Sequence, residues 1–214
     1  MSDLTTVADL STAAGTLVLA VATFSAVRAS QRSARIAEQA LLVGLRPVLA
    51  PTQEDDPAMT VSFGDQHVVT VAGGGAALDL EDGRFYFVVP LRNVGPGLAV
   101  LHAWRVSPRS SASSDRPPLG SLRRQQRDLY IPAGGIGFWQ AALRDADDEM
   151  RAGIDDAYAA EQSLAVDLLY GDYEGGQRTI TRFSLFPNDG RWLAGVVRHW
   201  RLDGADPRDA PGAG

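Results

Sequence analysis

No charged residue occurs between Leu10 and Val27, and this uncharged run limits what the first part of the chain can form. As a helix it would be about 27 Å long at ~1.5 Å per residue, close to the bilayer hydrocarbon thickness of about 30 Å. Its Leu, Val and Phe residues alternate with Ser, Thr and Gly, and the hydroxyls can bond to carbonyls of the preceding turn. The run therefore predicts one transmembrane helix over residues 10–27.

Three other structures fit this run less well. A secretory signal carries basic residues before its apolar region and a small-residue cleavage site after it, whereas Asp3 and Asp9 precede this run. A buried helix of a soluble protein normally has a polar face. An interfacial helix carries its basic residues along the apolar run and not only after it.

The arginines predict an orientation. Arg28, Arg32, Arg35 and Arg46 follow the run, and no basic residue precedes it. Positively charged flanks stay on the cytoplasmic side of a membrane. The sequence therefore predicts a single-pass protein of the cell membrane, with residues 1–9 outside and residues 28–214 in the cytoplasm.

Helical periodicity continues beyond the uncharged run. Polar residues at positions 28, 31, 32, 35 and 39 share one face, and small or apolar residues at 29, 36, 40 and 43 share the other. Gly44 and Pro47 then end the helix, which predicts a juxtamembrane amphipathic helix over 28–45. Arg28, Arg32 and Arg35 are candidate contacts for anionic lipid headgroups. The alternative is that they only form the solvated face that such a helix needs.

Small residues recur along one stripe of the same helix, at Ser11, Gly15, Ala22 and Ala26. Such a stripe allows two helices to approach closely, so these four residues are a candidate face for a homodimer. Alanine-rich chains also produce this pattern by chance.

Composition excludes several kinds of chemistry. All 20 basic residues are arginine and the chain has no cysteine, which excludes a Schiff-base lysine, a Walker lysine, disulfides and thiolate nucleophiles. The charges within residues 1–45 cancel, so the formal charge of −6 falls on residues 46–214. Because nucleic-acid binding needs a basic surface, we expect no nucleic-acid partner.

After Pro47 the pattern changes to short β-rich runs separated by Gly, Pro, Asn and Asp, which predicts a β-sandwich domain over 46–202 and a disordered tail over 203–214. In "RFYFVVPL", Phe85, Phe87, Val89 and Leu91 alternate onto one face, and Pro90 indicates an edge strand or a bulge. "GDYEGG" predicts a hairpin turn. The predicted strands are 47–50, 60–63, 67–72, 84–91, 99–106, 136–142, 164–170 and 178–186.

Two segments carry a resemblance. In "PLRNVGPGLAVLHAW" the Asn, Gly and Pro residues must reverse the chain, and "LLVGLRPVL" ends the long helix. Together they resemble uncharacterised bacterial single-pass membrane proteins with a small cytoplasmic immunoglobulin-like β domain. The resemblance implies an immunoglobulin-like sandwich and no activity.

Candidate catalytic and metal sites are weak. The acidic segment 145–162 predicts a short helix with carboxylates at its N-terminus; it matches an EF-hand loop in four oxygen positions, but Met150 replaces the required glycine. The glycines of 71–79 lack the G-K-[ST] ending of a phosphate-binding loop and predict a flexible loop. Residues 107–127 are rich in Ser, Pro and Arg and predict a solvated polar loop, which contains Arg109, Arg116, Arg123, Arg124 and Arg127. The three histidines show no metal or catalytic spacing. We therefore expect no catalytic residue, no metal and no cofactor.

The C-terminal segment "GRWLAGVVRHWRL" fits both helical and strand spacing. If exposed, Trp192 and Trp200 are the best candidates for a surface that binds a protein partner.

The sequence as a whole predicts a membrane-anchored cytoplasmic interaction module with an unidentified protein partner and no catalytic activity. Two alternatives stay open: an extracytoplasmic binding or adhesion domain, and an enzyme that uses only Asp, Glu, His or Ser.

Overall fold

A computed structural model describes residues 2–204 of the chain, without the side chains of residues 2–15, 18, 39 and 43. The chain divides at the bond between Gly44 and Leu45 into a helical unit and a β unit, here called the β domain. Most of the predicted tail, from residue 205 onward, lies outside the described residues.

The helical unit is one continuous helix, α1 (Ser2–Val43), which joins the predicted spanning and amphipathic segments. The Thr23 and Ser25 hydroxyls donate to the carbonyls of Leu19 (2.8 Å) and Val21 (2.9 Å), as expected for helical Ser and Thr. The helix ends where predicted, because the Gly44 N–H donates to the Ala40 carbonyl (3.2 Å) and the chain then turns.

Within the described residues, no helix has a stretch that is both long and apolar enough to cross a membrane. The predicted placement as a single-pass membrane protein is therefore wrong, and the transmembrane helix over 10–27 is not confirmed. The uncharged run over 10–27 is about 27 Å long as a helix, slightly less than a hydrocarbon thickness of about 30 Å. Within it, Ser, Thr, Ala and Gly dilute the larger apolar residues.

The β domain is mainly β, with few helices. Its strands are β1 (Leu49–Pro51), β2 (Met59–Ser62), β3 (Val68–Val71), β4 (Gly75–Glu81), β5 (Arg84–Asn93), β6 (Ala99–Pro108), β7 (Arg123–Ile131), β8 (Ile136–Leu143), β9 (Leu164–Gly171), β10 (Thr179–Asn188) and β11 (Arg191–Arg201). A short helix, α2 (Ile154–Ala159), and 3₁₀ turns at Arg109–Ser111, Leu119–Ser121 and Glu149–Arg151 lie between strands.

Nine of these strands form one curled antiparallel sheet in the order β1-β5-β4-β11-β10-β9-β6-β7, with β8 paired to the other side of β5. β4 joins the two halves of the sheet through the pairs Ala76–Trp192 and Gly75–Leu193. Because the sheet curls, the half that contains β5 and the half that contains β9 face each other across a single core.

The main core is built by strand alternation. Phe85, Phe87, Val89 and Leu91 of β5 are fully buried on its inner face, as the alternation predicted. They contact inward residues of β8, β9 and β10, of which Trp139 is the largest.

A second, smaller core lies on the outer face of β5. The hairpin β2–β3 covers this face, and Val61 and Val71 pack there against Tyr86 and Val88. β5 is therefore buried on both faces, from residue 85 to residue 91.

Pro90 lies in the middle of the sheet and not at an edge, contrary to the prediction. β5 pairs with β4 as far as Val88 and with β1 from Leu91 onward, so Pro90 lies between two partners on that side. Its carbonyl accepts from the Thr52 N–H (3.3 Å) on the same side. The absence of an N–H at Pro90 is tolerated on this side of β5 because neither β4 nor β1 places a paired residue opposite Pro90.

The turn "NVGPGLA" is organised by Asn93, whose side chain is fully buried. Its Oδ1 accepts from the N–H groups of Val48 (3.2 Å) and Gly95 (3.0 Å), and its Nδ2 donates to the carbonyls of Gly97 (2.6 Å) and Ile131 (3.0 Å). Gly97 is required by close approach and not by positive φ, because a Cβ there would overlap the Leu45 carbonyl.

Several predicted elements change. β4 occupies the predicted flexible glycine segment, and β7 occupies the end of the predicted polar loop over 107–127. The helix predicted over 145–162 is reduced to a 3₁₀ turn and α2. β11 resolves the ambiguous C-terminal segment as a strand.

Candidate functional site

The predicted lipid contacts Arg28, Arg32 and Arg35 lie exposed on α1, and the Arg28 guanidinium lies 4.7 Å from the Phe24 ring. Their assignment to lipid headgroups depended on the membrane placement, which is wrong. In the predicted dimer face, Ala22 and Ala26 are exposed, whereas the Ser11 and Gly15 side chains lie outside the described residues.

The predicted partner surface is not one continuous exposed patch. Trp200 is only 6% exposed, and the guanidinium of Arg182 lies 5.1 Å from its ring and that of Arg198 5.8 Å. Trp192 is half-buried and stacks on Tyr158 at 6.4 Å.

The loop between β6 and β7 contacts the outer face of the sheet. Arg182 forms a buried two-contact ion pair with Asp167 (2.6 and 2.9 Å) and also donates to the Ser113 carbonyl. Arg198 donates to the Ser114 carbonyl (2.6 Å). The segment "SPRSSASSD" is therefore attached to the sheet by arginines from β10 and β11, although its composition predicted a solvated loop.

The acidic residues around 145–156 form ion pairs with arginines. Asp148 accepts from Arg123 (2.7 Å), and Asp155 makes a bidentate contact with Arg151 (2.8 and 2.9 Å). The Arg123 hydrogen bond, opposed by partial burial, lowers the pKa of Asp148. Among the side chains that the structure describes, no cluster of three or more His, Cys, Asp or Glu could hold a metal ion.

The three histidines lie apart. His67 stacks on Tyr86 at 3.9 Å and lies between Asp79 (3.2 Å) and Glu81. Burial, followed by the positive charge of Arg178, lowers the pKa of His102 and favours its neutral form at pH 7.

His199 takes part in a hydrogen-bonded chain through the core. It contacts the Thr181 hydroxyl (2.7 Å), which contacts the Tyr170 hydroxyl (2.9 Å), and the latter accepts from the Leu49 N–H (3.2 Å). This chain connects β1 to the far half of the sheet and is a structural feature of the core.

The best candidate for a binding site is a cavity of about 250 Å³ between β7 and β8, here called the β7–β8 cleft. It is lined by residues 123–127, residues 140–142, Arg144, Phe63 and Trp104. β7 is irregular beside the cleft, where residues 125–128 lie opposite the single residue His102 of β6. Such a bulge turns side chains away from the sheet.

Four arginines line the β7–β8 cleft. Arg123 pairs with Asp148, and Arg144 pairs with Asp65 (2.8 Å). Arg124 and Arg127 are exposed and form no ion pair with any carboxylate of residues 16–204. The cleft is thus a local basic site on an acidic β domain.

Two side-chain amides in the cleft are incompletely hydrogen-bonded. The Gln125 Nε2 donates to the backbone carbonyl of Gln140 (3.4 Å), across the cleft. The Oε1 atoms of Gln125 and Gln140 are buried and have no hydrogen-bond partner among the described residues. A buried polar atom without a partner costs about 1–3 kcal/mol, which a bound donor would recover.

The sequence did not predict this cleft. It placed Arg123, Arg124 and Arg127 together with Arg109 and Arg116 in one solvated loop, whereas the first three belong to β7. The alternation of Leu129 and Ile131 at the end of the same segment is a strand pattern that could have indicated β7.

Comparison with other proteins adds little. No protein family matches the chain, and no curated protein matches it either. The X-ray structure of Northeast Structural Genomics Consortium target SoR45 is 12% identical over 63% of this chain and 84% of that chain, with a TM-score of 0.23. A score this low carries no argument about fold or function.

Proposed function

We propose that the protein is an interaction module and not an enzyme, and that α1 associates with α1 of a second copy of the chain. One observation carries the proposal: every described side chain of α1 is exposed, including Leu17 (67%), Leu19 (70%) and Ile36 (62%). A helix with this much apolar surface requires a partner.

The spacing along α1 supports another copy of the same helix as that partner. Leu19, Ala22, Ala26, Ala29, Ser33, Ile36, Ala40 and Val43 recur at alternating steps of three and four residues. This is the seven-residue repeat of coiled coils, and none of these residues is charged. We call this set the α1 stripe. Arg28, Arg35 and Glu38 lie outside it, and small residues within it allow close approach of two helices.

A binding role fits the β domain as well. Many of its described carboxylates, including Asp148, Asp155 and Asp167, pair with arginines and therefore serve structure. We also infer that the β domain is a variant of the immunoglobulin-like sandwich. The chain passes repeatedly between the two facing halves of the sheet, as in the β5–β6, β7–β8 and β8–β9 connections. An experimental structure of the whole chain tests that inference.

The experiment is light scattering coupled to size-exclusion chromatography on the full chain, with two matched variants. Ala29→Glu places a charge within the α1 stripe, and Ala34→Glu makes the same change on the opposite side of α1; both positions are exposed. We expect wild type and Ala34→Glu to form oligomers of the same mass. Ala29→Glu should weaken association by about tenfold or more, because a buried unpaired charge is costly.

Two results contradict this proposal. One is a wild-type protein that stays monomeric up to about 100 μM, which would place any self-association at the weak end of the affinity scale. The other is equal dissociation by Ala29→Glu and Ala34→Glu, which would show that the α1 stripe is not the contact.

A further inference from the structure

The β7–β8 cleft contains an unpaired strand edge. β8 pairs with β5, and β7 pairs with β6, and within the described residues neither strand pairs on its other side. The Gln140 carbonyl on this side of β8 accepts a long side-chain hydrogen bond from Gln125 (3.4 Å). In an antiparallel strand the N–H and C=O of one residue point to the same side, so alternate backbone groups, at 138, 140 and 142, face the cleft. An exposed edge of this kind can pair with another strand.

The unpaired polar atoms in the cleft would be satisfied by a ligand that supplies hydrogen-bond donors. The buried Oε1 atoms of Gln125 and Gln140 can only accept. The backbone of an extended peptide supplies N–H donors at regular spacing. A phosphate group at neutral pH offers mainly acceptors, so it satisfies these two atoms less well.

The positive charges in the cleft favour a ligand that carries negative charge. Arg124 and Arg127 have no carboxylate partner within residues 16–204, and their side chains are exposed beside the cleft. Arginine pairs with carboxylates through two parallel hydrogen bonds, which adds direction to the attraction.

The size of the cleft limits how its ligand binds. At about 250 Å³ it is smaller than the roughly 300–1,000 Å³ of typical small-molecule sites. It can enclose only part of a ligand, and the buried Trp104 contributes an apolar part of its lining. An extended chain that inserts one or two side chains and continues along the edge of β8 fits this shape.

We propose that the β7–β8 cleft binds an extended, acidic peptide segment, which pairs with the free edge of β8 while its carboxylates contact Arg124 and Arg127. Nucleic acid is the weaker candidate because the chain carries a net charge of −6 and the buried Oε1 atoms of Gln125 and Gln140 cannot pair with phosphate oxygens. This proposal is independent of association through α1.

The probe is a fluorescein-labelled peptide of about eight residues, the usual length of a strand, that alternates Glu and Val. Binding to the full-length protein is measured by fluorescence anisotropy. Three competitors are compared with the unlabelled peptide: the same peptide with Lys in place of Glu, the Glu peptide N-methylated at every second residue, and a single-stranded oligothymidylate of similar length. We expect only the unmodified Glu peptide to compete.

Matched protein variants test the location. Arg124→Glu combined with Arg127→Glu reverses the two unpaired charges of the cleft and should weaken binding about tenfold or more. Arg191→Glu combined with Arg201→Glu makes the same change in charge at two exposed positions of β11 and should leave binding within about twofold. Unchanged tryptophan fluorescence and thermal unfolding would confirm that each variant folds.

Each remaining outcome overturns the proposal. Absence of binding at about 1 mM peptide excludes a specific site of this chemistry. Equal competition by the N-methylated peptide excludes strand pairing, and equal loss in both variant pairs assigns the effect to overall charge. Stronger competition by oligothymidylate than by the Glu peptide would show that the cleft binds nucleic acid and not a peptide. Ala29→Glu should weaken association through α1 and leave peptide binding unchanged. A failure of the peptide proposal is therefore distinguishable from a failure of the α1 proposal.

Discussion

Helix α1 and strand β5 are both rich in apolar residues, but they differ in where those residues find partners. β5 is buried on both faces from residue 85 to residue 91, because the sheet covers one face and the hairpin β2–β3 covers the other. On α1 every described side chain is exposed. The free energy that stabilises β5 therefore comes from within the β domain, whereas the proposed association of α1 with a second copy would supply the corresponding burial for the helix.

Substitutions test this difference, and the largest expected loss of stability is at the buried ion pair of the β domain. The Arg182 side chain is 4% exposed and that of Asp167 is 1% exposed. Asp167→Ala leaves a buried guanidinium without its carboxylate and should lower the free energy of unfolding by about 3–5 kcal/mol. Arg35→Ala on α1 should change it by less than about 0.5 kcal/mol.

Denaturant unfolding followed by tryptophan fluorescence measures this directly, because all four tryptophans lie in the β domain. Asp167→Leu combined with Arg182→Met, which removes both charges, should recover most of the loss. A loss below about 1 kcal/mol for Asp167→Ala would mean that water reaches Arg182 in the native state.

A smaller effect is expected at Asn93, where one side chain makes four hydrogen bonds to backbone groups. Asn93→Ala leaves those groups unpaired and should cost about 2–4 kcal/mol. Asn188→Ala, an exposed change at the end of β10, is the control and should cost under about 0.5 kcal/mol. Equal unfolding midpoints for the two variants would show that water replaces the hydrogen bonds of the Asn93 side chain.

The smallest effect is a pH dependence near the β7–β8 cleft. Hydrogen bonds from Arg144 and, secondarily, from Tyr86 lower the pKa of Asp65 from 3.8 to about 2, against the opposing effect of burial. Because the folded-state pKa is the lower one, Asp65 stabilises the fold above pH of about 4, and this contribution is lost as the pH falls towards 2.

NMR titration of the Asp65 carboxyl should give a midpoint near 2 in wild type and a value closer to 3.8 in Arg144→Gln. In Asp65→Asn the corresponding part of the acid dependence of unfolding should disappear. A wild-type midpoint near the ordinary value would show that the Arg144 contact does not persist in solution.

Local patterns in the sequence predicted the parts of the fold that local physics determines. The alternation in β5 placed Phe85, Phe87, Val89 and Leu91 on one face, and "GDYEGG" gave the β9–β10 turn, in which the Gly176 N–H donates to Asp172 (2.8 Å). The end of α1 at Gly44 was also predicted, because Gly and Pro act on the backbone next to them.

The sequence did not predict features that depend on distant partners. β4 begins in a run of glycines, and its strand character comes from pairing with β5 and β11. β7 begins with Arg and Gln on both of its faces, so its first half lacks the apolar–polar alternation that indicates a strand. Pro90 indicated an edge strand, since no local rule shows that two different strands meet on one side of it.

The candidate site was missed for the same reason. A cleft exists where β7 and β8 fail to pair, and a missing pair leaves no local pattern in either strand. The membrane prediction failed differently: it relied on length and the absence of charge, whereas spanning also requires sufficient hydropathy.

The contacts of Asn93 also determine how mechanical load would pass through the molecule. A pulling force on α1 reaches the β domain through Leu45–Leu49, and this segment is held by Asn93 at Val48, by Tyr170 at Leu49 and by Gln177 at Arg46 (2.6 Å). These anchors lie on three different strands or turns of the sheet. Traction on the helix would therefore be shared across the sheet and would not peel away one edge strand.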